Sequence, residues 1–448
     1  MAVKIVLIGA GSAQFGYDML SDIFQSEFLK GCHIELLDIN AEALAVVEKN
    51  GKKHIEENTL PFTLSATIDR EEALKDADFC IIAIEVGDRF LLLEQDWKIP
   101  HQFGIRQVIG ENGGPGGLFH SLRVIPPILE ICEDIQDICP DALVINFSNP
   151  MSKICTTVHR KFPGLKFIGL CHEIEILKQH LPLILDTTYE NLKIRAGGLN
   201  HFSILVEATY VDSGKDAYPD IRKKAPQYYE DLPSLRDVIK ELKKMGAGST
   251  LGSEPAFRAG AGKWSERRLF KALLDQYGYM PITTDSHLGE YVTWANDAAD
   301  HKAILDFYQY YLEYLDKDPQ IEPKLHERAV PIMDGILTDS GYEEEAVNIP
   351  NNSFIEALPG FMAVEVPATI DKKGVHGEKL ENYPRGFAGL LCNQVGVHDL
   401  VAEAVIKKSK ELAIQAMLTD PTVDKYKSAI ELFEHIMVLQ EPYLNYLK

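Results

Sequence analysis

Near its N-terminus the chain runs Val3-Lys4-Ile5-Val6-Leu7-Ile8-Gly9-Ala10-Gly11-Ser12, a mostly apolar segment that stops at two closely spaced glycines. The apolar run predicts a short buried strand, and the residues from Phe15 to Leu29 carry the spacing of a helix. Glycines between a strand and a helix allow a tight turn and let a phosphate group approach the backbone. Gly9 and Gly11 therefore fit a nucleotide-binding turn.

The next predicted strand, His33 to Leu37, ends on Asp38. A carboxylate at that position accepts hydrogen bonds from the ribose hydroxyls of adenosine and disfavours a 2′-phosphate, which predicts NAD rather than NADP. The third glycine of the G-x-G-x-x-G pattern would fall at Gln14, so the fingerprint is incomplete. A plain strand-to-helix turn is the open alternative. In the nucleotide interpretation the predicted cofactor contacts are Gly9, Gly11, Ser12, Gln14, Phe15 and Asp38.

Predicted strands and helices alternate through the first part of the chain. Further strand candidates are Phe79 to Glu85, Leu143 to Phe147 and Lys166 to Leu170, separated by helical patterns such as Leu118 to Ile138. This alternation predicts the α/β class with a Rossmann-type, doubly wound parallel sheet.

Beyond about residue 195 the pattern changes to a longer strand followed by helix-rich sequence. It predicts a second α+β catalytic lobe, as in lactate and malate dehydrogenases, and near the C-terminus one long amphipathic helix from Leu400 to Leu418. We expect an NAD-binding domain over 1–195 and a substrate domain over 196–448.

Composition restricts the partners that the protein can have. The 448 residues carry a formal net charge of −22, which would repel a nucleic acid backbone. No apolar stretch reaches the ~18 residues that span a bilayer, and no signal peptide is evident, so we expect a cytoplasmic protein without a membrane partner. The 7 cysteines show no CxxC spacing, which disfavours a zinc ribbon or a disulfide framework.

Three polar clusters follow predicted strands, at the sheet edge where this fold class binds ligands. They are the glycine-rich segment Gly110 to Gly117, which contains Glu111, then Asn149-Pro150, and then Cys171-His172-Glu173. Thiolate and imidazole are common metal ligands, so Cys171 and the downstream His201 form a possible metal pair. The alternative is that Cys171 is a buried apolar filler and His201 an ordinary core histidine.

Taken together, the motifs resemble glycoside hydrolase family 4 across nearly the whole chain. The matching segments are Gly9 to Ser12, Gly114 to Gly117 with Leu122-Arg123 and Ile125-Pro126, Asn149-Pro150, Cys171 to Ile174, Gly198 to His201 and Val364 to Pro367. The resemblance implies that Cys171 and His201 bind a divalent metal, typically manganese. It also implies sugar contacts from Asn149, His172 and Glu111, with His172 and Asp285 in catalysis and Asp285 as the base.

The same resemblance explains why a hydrolase would carry a redox cofactor. NAD takes a hydride from C3 of the sugar, the metal polarises the resulting ketone, and Asp285 removes the C2 proton that the ketone has acidified. Elimination expels the aglycone, water adds to C1, and the hydride returns, so the cofactor is regenerated. Such enzymes lie outside the paired-carboxylate scheme of most glycosidases. Family members are commonly dimers or tetramers, which predicts a homo-oligomer.

The tetrapeptide at the metal cysteine bears on the sugar. Phosphoglycosidases of the family carry Cys-Asn-Val/Ile-Pro, whereas Cys171-His172-Glu173-Ile174 is most similar to the Cys-His-Glu-Val of α-galacturonidases. We therefore predict an α-galacturonidase, with α-galactosidase, α-glucosidase and α-glucuronidase as alternatives within the family. A uronide would need a cation for its carboxylate. The candidates are Arg258, Lys263, Arg267 and Arg268.

Two rival classes share the predicted fold. A 2-hydroxyacid dehydrogenase would need a histidine paired with an aspartate and a pair of substrate arginines, and the sequence shows no convincing His-Gly-Asp segment. A non-catalytic NAD-binding protein would need only the glycine turn and Asp38. Hydrolysis of an α-glycoside separates both rivals from the glycosidase.

Overall fold

The structure is a computed structural model that describes residues 3–12, 15–245, 267–313, 320–323, 325 and 327–448. Three residues that the sequence singles out lie outside this part of the chain, namely Gln14, Arg258 and Lys263.

The first part of the chain alternates strands with helices. Its strands are β1 (Lys4–Ile8), β2 (His33–Leu37), β3 (Thr63–Thr67), β4 (Phe79–Ile82), β5 (Leu143–Asn146) and β6 (Phe167–Gly169). Its helices are α1 (Phe15–Gln25), α2 (Ala41–Glu57), α3 (Arg70–Leu74), α4 (Arg89–Gln102), α5 (Gly114–Ile138) and α6 (Met151–Lys161). These six strands pair in parallel in the order β3-β2-β1-β4-β5-β6. That order is the one of dinucleotide-binding folds, so the predicted α/β class with a Rossmann-type sheet is confirmed.

The later strands extend the same sheet in antiparallel fashion. They are β7 (Leu192–Leu199), β8 (Phe202–Tyr210), β9 (Tyr342–Pro350), β10 (Ala363–Asp371) and β11 (Gly374–Gly377). Strand β9 lies beside β6 through the pair Gly169 and Asn348, and the order continues β9-β10-β7-β8 with β11 on β10. The described strands thus form one sheet across the predicted boundary at residue 195, which itself stays a prediction.

The remaining helices follow β6 in the chain. They are α7 (Glu175–Leu185), α8 (Tyr218–Asp231), α9 (Leu235–Met245), α10 (Arg268–Tyr277), α11 (Asp285–Leu288), α12 (Ala295–Ala298), α13 (His301–Glu313), α14 (Ala329–Thr338), α15 (Arg385–Cys392), α16 (Val395–Lys407), α17 (Lys410–Thr419), α18 (Tyr426–Leu439) and α19 (Glu441–Leu444). Three of them near the C-terminus, α16, α17 and α19, pack against α5 or α6 of the parallel part. Among the described residues, no helix combines the length and the apolar character that crossing a bilayer requires.

Apolar residues cover both faces of the parallel strands. In β1, Ile5 and Leu7 belong to one buried cluster, while Val6 and Ile8 belong to a second cluster on the opposite face. Successive side chains of a strand point to opposite faces, so a strand with helices on both sides must be apolar throughout. This explains why the N-terminal run is continuous rather than alternating.

The single helix predicted from Leu400 to Leu418 is wrong. The chain forms α16 and α17 instead, with Lys408 between them in the left-handed conformation at φ 55°. Ser409 then caps α17, because its hydroxyl accepts a hydrogen bond from the Leu412 N–H at 3.3 Å. The amphipathic spacing continues across the break, which is why the sequence pattern alone did not reveal it.

Candidate active site

The glycine turn after β1 is held by the carboxylate at the end of β2. The Gly11 N–H donates to Asp38 Oδ2 at 2.7 Å, and the Asn40 N–H donates to Asp38 Oδ1 at 2.8 Å. Gly9 has φ 92°, and a β-carbon there would lie 2.2 Å from the carbonyl oxygen of Ala83. The turn therefore requires glycine at position 9 for both its conformation and its close approach to the neighbouring strand.

The third glycine of the fingerprint is displaced rather than missing. A β-carbon at Gly16 would lie 2.4 Å from the carbonyl oxygen of Ala10, so helix α1 packs against the turn at this point. Close packing of helix on strand is the role of the third glycine in dinucleotide-binding folds. The sequence pattern placed that role at Gln14 and so missed Gly16.

A single large cavity begins at this turn. Its volume is about 1570 Å³, and it extends from Gly9, Gly11, Ser12 and Asp38 to a far end lined by Glu111, His172 and His287. Phe15 is not in its described lining; the ring of Phe15 packs on Phe147, with centroids 5.3 Å apart. The same cavity is therefore lined both by the predicted nucleotide turn and by two of the predicted sugar contacts, Glu111 and His172.

Three side chains from two sheet regions converge beside the far end of the cavity. Cys171 Sγ lies 3.4 Å from His201 Nε2, and Glu173 Oε1 lies 3.5 Å from the same nitrogen. Cys171 and Glu173 follow β6, and His201 lies in the turn between β7 and β8 with φ 63°. The His201 ring also stacks against that of His287, with centroids 4.6 Å apart. The predicted pair of Cys171 and His201 is thus brought together.

The chemistry of these three groups fits a divalent metal. Burial raises the pKa of the Cys171 thiol well above its ordinary value, and burial raises the pKa of Glu173 to about 8. Burial also lowers the pKa of His201. The neutral imidazole is the form that binds a metal, and a bound cation would favour the thiolate and the carboxylate that burial alone disfavours. Thiolate, imidazole and carboxylate together are a common metal-ligand set.

A buried carboxylate from β10 holds the turn that carries His201. Glu365 Oε2 accepts hydrogen bonds from Asn200 Nδ2 at 2.7 Å and from Asn348 Nδ2 at 3.0 Å. Asn200 directly precedes His201, so Glu365 fixes the backbone next to this candidate ligand. Glu365 lies in the motif Val364 to Pro367, to which the sequence analysis assigned no role.

Glu111, which lines the same cavity, lies in a network of charged groups. Its carboxylate is 3.7 Å from His287 Nδ1 and 3.6 Å from Arg89. Burial opposes a charge on His287, but the nearby carboxylates of Glu290, 3.9 Å from Nδ1, and of Glu111 outweigh it and raise the pKa of His287 to about 9. The predicted substrate contact Glu111 therefore lies beside an imidazolium that the sequence did not single out.

The two other predicted sugar contacts differ in their positions. His172 is exposed to the cavity, and its Nδ1 lies 4.0 Å from Glu327 Oε1. Asn149 is half-buried before a cis peptide bond to Pro150, and its Oδ1 accepts the Met151 N–H at 3.3 Å. Of the two, only His172 belongs to the described cavity lining.

The predicted base, Asp285, faces a helix end. It accepts hydrogen bonds from the backbone N–H of Leu269 at 2.9 Å and of Phe270 at 3.2 Å, so it caps the start of α10. Burial raises the pKa of Asp285 to about 6. Its neighbours Thr284, Ser286 and His287 line the cavity, whereas Asp285 is not in the described lining. Its role as the base stays a prediction.

Comparison with known proteins identifies the family. Residues 4–187 match the model of the family 4 glycosyl hydrolases, and residues 196–423 match the model of the family 4 glycosyl hydrolase C-terminal domain. The chain belongs to glycosyl hydrolase family 4 and is a glycoside hydrolase, as its motifs predict.

Relatives span the whole chain. An α-glucosidase of Erwinia rhapontici is 57% identical over 454 residues, covering 100% of both proteins. An α-galacturonidase of Thermoanaerobacter italicus is 29% identical, covering 99% of this chain and 97% of that protein. The crystal structure of a 6-phospho-α-glucosidase from gut microorganisms in complex with NAD and Mn2+ has a TM-score of 0.78 at 19% identity, covering 98% of each chain. That last likeness shows the fold alone.

Proposed function

We propose that this chain is an α-glucosidase that hydrolyses a non-phosphorylated α-glucoside with the help of NAD and a divalent metal, manganese by family resemblance. The observation that carries the mechanism is the continuous cavity between the glycine turn at Asp38 and the far end at His172 and His287. The choice of sugar is supported by the 57% identity to an α-glucosidase over the full length. The predicted α-galacturonidase is not confirmed, since the α-galacturonidase relative is only 29% identical.

The charge of the cavity also favours a neutral sugar. Among the described lining residues, six are acidic and two are arginines; the acidic ones are Asp18, Asp38, Glu85, Glu111, Glu130 and Glu322. Of the arginines, Arg89 lies 3.6 Å from both Glu85 and Glu111, so its charge is largely balanced by two carboxylates. The imidazolium of His287 adds a third basic group to this lining, so its net charge stays negative and disfavours a sugar carboxylate.

Of the four cations considered for a uronide, the two that the structure describes are not brought to the cavity. Arg267 is buried with its guanidinium over the Phe270 ring, 5.0 Å from the centroid, and neither Arg267 nor Arg268 is in the described lining. The other two candidates lie outside the described residues. The described surface therefore supports a hexoside over a hexuronide.

Each end of the cavity has a defined task in this proposal. Asp38 accepts the ribose hydroxyls of NAD, and the backbone at Gly9 and Gly11 approaches the pyrophosphate. Cys171 and His201 hold the metal. When bound, NAD supplies a reversible hydride acceptor and the metal supplies a Lewis acid.

The remaining predicted residues act on the sugar. His172 and Glu111 border the space that the sugar would occupy, and Asn149 lies one strand away at the same sheet edge. Asp285 would remove the C2 proton, and a pKa of about 6 suits a base that works near neutral pH. In that role its carboxylate must exchange the two amide hydrogen bonds at the start of α10 for a contact with the sugar.

A substrate panel tests the proposal. The full chain is incubated with NAD, MnCl2 and a thiol reductant, and nitrophenol release is measured from α-glucoside, α-galactoside, α-galacturonide and α-glucuronide. We expect the α-glucoside to be cleaved fastest, with activity lost after removal of NAD or metal. Faster cleavage of a uronide would overturn the choice of sugar, and no cleavage of any of the four would overturn the glycosidase itself.

A solvent-isotope experiment tests the proton-abstraction step separately. If the C2 proton is removed and returned during turnover, glucose released in D2O carries deuterium at C2, detectable by NMR. A glycosidase that used two carboxylates would leave C2 untouched. Glucose without deuterium at C2 would therefore refute the NAD-dependent elimination while leaving the substrate assignment intact.

A further inference from the structure

We propose that Glu173 is a third protein ligand of the metal, so that the site presents sulfur, nitrogen and a carboxylate oxygen. The inference rests on the proposed function, because it assumes that Cys171 and His201 hold a divalent ion. The sequence and the family resemblance assign no role to Glu173.

The first observation is the convergence of three donor atoms. Cys171 Sγ, Glu173 Oε1 and His201 Nε2 all lie within 4.8 Å of one another, with sides of 3.4 Å and 3.5 Å meeting at the imidazole nitrogen. Sulfur and nitrogen ligands at ~2.3 Å and ~2.1 Å from a metal lie about 3.6 Å apart at a tetrahedral angle. The observed distances therefore fit three ligands around one ion, and they fit direct hydrogen bonds between the side chains equally well.

The second observation is that the Glu173 carboxylate lacks enough partners of its own. Glu173 is 4% exposed, and its Oε2 is buried without a hydrogen-bond partner in the described structure. The hydroxyl of Thr283 donates to Oε1 and holds the side chain in place. A buried carboxylate oxygen without a hydrogen-bond partner is strongly disfavoured. A metal at this position would relieve that cost.

The third observation concerns the type of metal. A thiolate is a soft ligand and by itself favours zinc over manganese, whereas a carboxylate oxygen is a hard ligand that suits manganese. Glu173 therefore favours the binding of manganese, whereas Cys171 and His201 alone do not. The inference predicts that removing the carboxylate weakens manganese binding more than zinc binding.

The test uses the full chain with NAD and the substitution Glu173→Gln. The Kd for Mn2+ is measured from the EPR signal of the free ion, and the Kd for Zn2+ by competition with a chromophoric chelator. We expect the Mn2+ Kd to rise about tenfold or more, the change typical of a damaged metal site, and the Zn2+ Kd to change much less. NAD affinity and circular dichroism establish that the variant is folded.

A matched control removes a different buried charge near Cys171. Glu173 and Glu365 are both buried carboxylates close enough to Cys171 to act on it by their charge, but only Glu173 is one of the three converging donors. Glu365→Gln keeps an oxygen that can accept from Asn200, and we expect it to change the Mn2+ Kd by less than the ligand variant does. An equal rise in the Mn2+ Kd of both variants would show that the charge of a buried carboxylate matters rather than direct ligation, and it would overturn the inference.

A second variant keeps the inference testable if Glu173→Gln does not fold. Thr283→Val removes the hydroxyl that holds the carboxylate, and we expect a smaller rise in the Mn2+ Kd than Glu173→Gln causes. If Glu173→Gln binds Mn2+ as tightly as the unaltered chain, Glu173 is not a ligand, although the proposed function can still hold. If the unaltered chain binds no divalent metal, the proposed function fails as well.

Discussion

Glu290 Oε1 accepts the backbone N–H of Glu111 at 2.9 Å, although 179 positions separate the two residues. Its Oε2 accepts the N–H groups of Asn112 and Gly113, each at 2.8 Å. Glu290 is completely buried, so one side chain fixes the loop that carries Glu111 into the cavity. Glu290 is a positioning residue, because it acts on the predicted sugar contact Glu111 through the loop.

Replacing Glu290 should therefore destabilise the protein and disturb the sugar site. In Glu290→Ala, three buried N–H groups lose their acceptor, and we expect the free energy of unfolding to fall by about 3 kcal/mol or more. Glu290→Gln keeps acceptor capacity and should be milder. Urea denaturation measures the effect, with exposed Glu356→Ala as a control expected to lie within about 0.5 kcal/mol of the unaltered chain. A Glu290→Ala variant of normal stability would contradict this account.

Asp38 should control both the affinity for NAD and the choice between NAD and NADP. In Asp38→Ala the ribose loses a charged acceptor and the Gly11 N–H loses its partner. Losing one charged hydrogen bond corresponds to about a tenfold to hundredfold rise in the Kd for NAD. The preference for NAD over NADP should also shrink, because the repulsion of a 2′-phosphate is removed. Titration calorimetry with both nucleotides measures this, and an unchanged Kd ratio would argue against the assignment.

Two substitutions at Asp285 separate its structural role from its predicted chemical role. Asp285→Ala removes the cap of α10 and should lower stability by about 1–2 kcal/mol, while Asp285→Asn retains one acceptor oxygen and should cost less. If Asp285 is the base, both variants lose about 100-fold or more in kcat. Melting temperature and kcat are compared for the two. Normal kcat in a folded Asp285→Asn variant would show that the base lies elsewhere.

Lys153 should give the protein a distinctive pH dependence. It is buried against the Asn112 carbonyl, and burial lowers the pKa of its amine from 10.5 to about 8. Between about pH 8 and pH 10.5 the unfolded chain therefore holds more protons than the folded one, so this residue's contribution to stability rises with pH.

The comparison of the unaltered chain with Lys153→Met isolates this effect. The difference in the free energy of unfolding should shift by about 2 kcal/mol in favour of the unaltered chain between pH 7.5 and pH 9.5. Denaturant melts at the two pH values provide the measurement. A difference that does not change with pH would mean that the amine titrates normally.

Local sequence patterns predicted the glycine turn after β1 and the carboxylate at the end of β2, and the structure joins the two through the Gly11 N–H and Asp38. Their contact with NAD stays a prediction. Gly9, Gly11 and Asp38 each lie at the end of a strand, and each of these strands is marked by a mostly apolar run. The residue types indicated Cys171 and His201 as a possible metal pair and the resemblance implied it, and the structure places these two side chains together. In each case the residue that the sequence singled out lies within a few positions of the end of a strand.

The groups that sequence reasoning missed depend on contacts between distant segments. Glu173 meets His201 across 28 positions, and Glu290 meets the Glu111 loop across 179. A buried carboxylate resembles a surface one in sequence, because only the fold shows which N–H groups or ligands surround it. Asp285 differs from these residues, because the resemblance did assign it a role. What the sequence did not reveal is that its carboxylate accepts hydrogen bonds from backbone N–H groups at the start of α10.

The shared sheet has a consequence for any attempt to dissect the enzyme. Gly169 on β6 pairs with Asn348 on β9, and Asn348 in turn donates to Glu365. A fragment ending near residue 195 would leave β6 as an open edge, with unpaired backbone groups next to Cys171. Such a fragment would tend to associate through that edge, so the nucleotide half and the sugar half are better regarded as one folding unit than as separable modules.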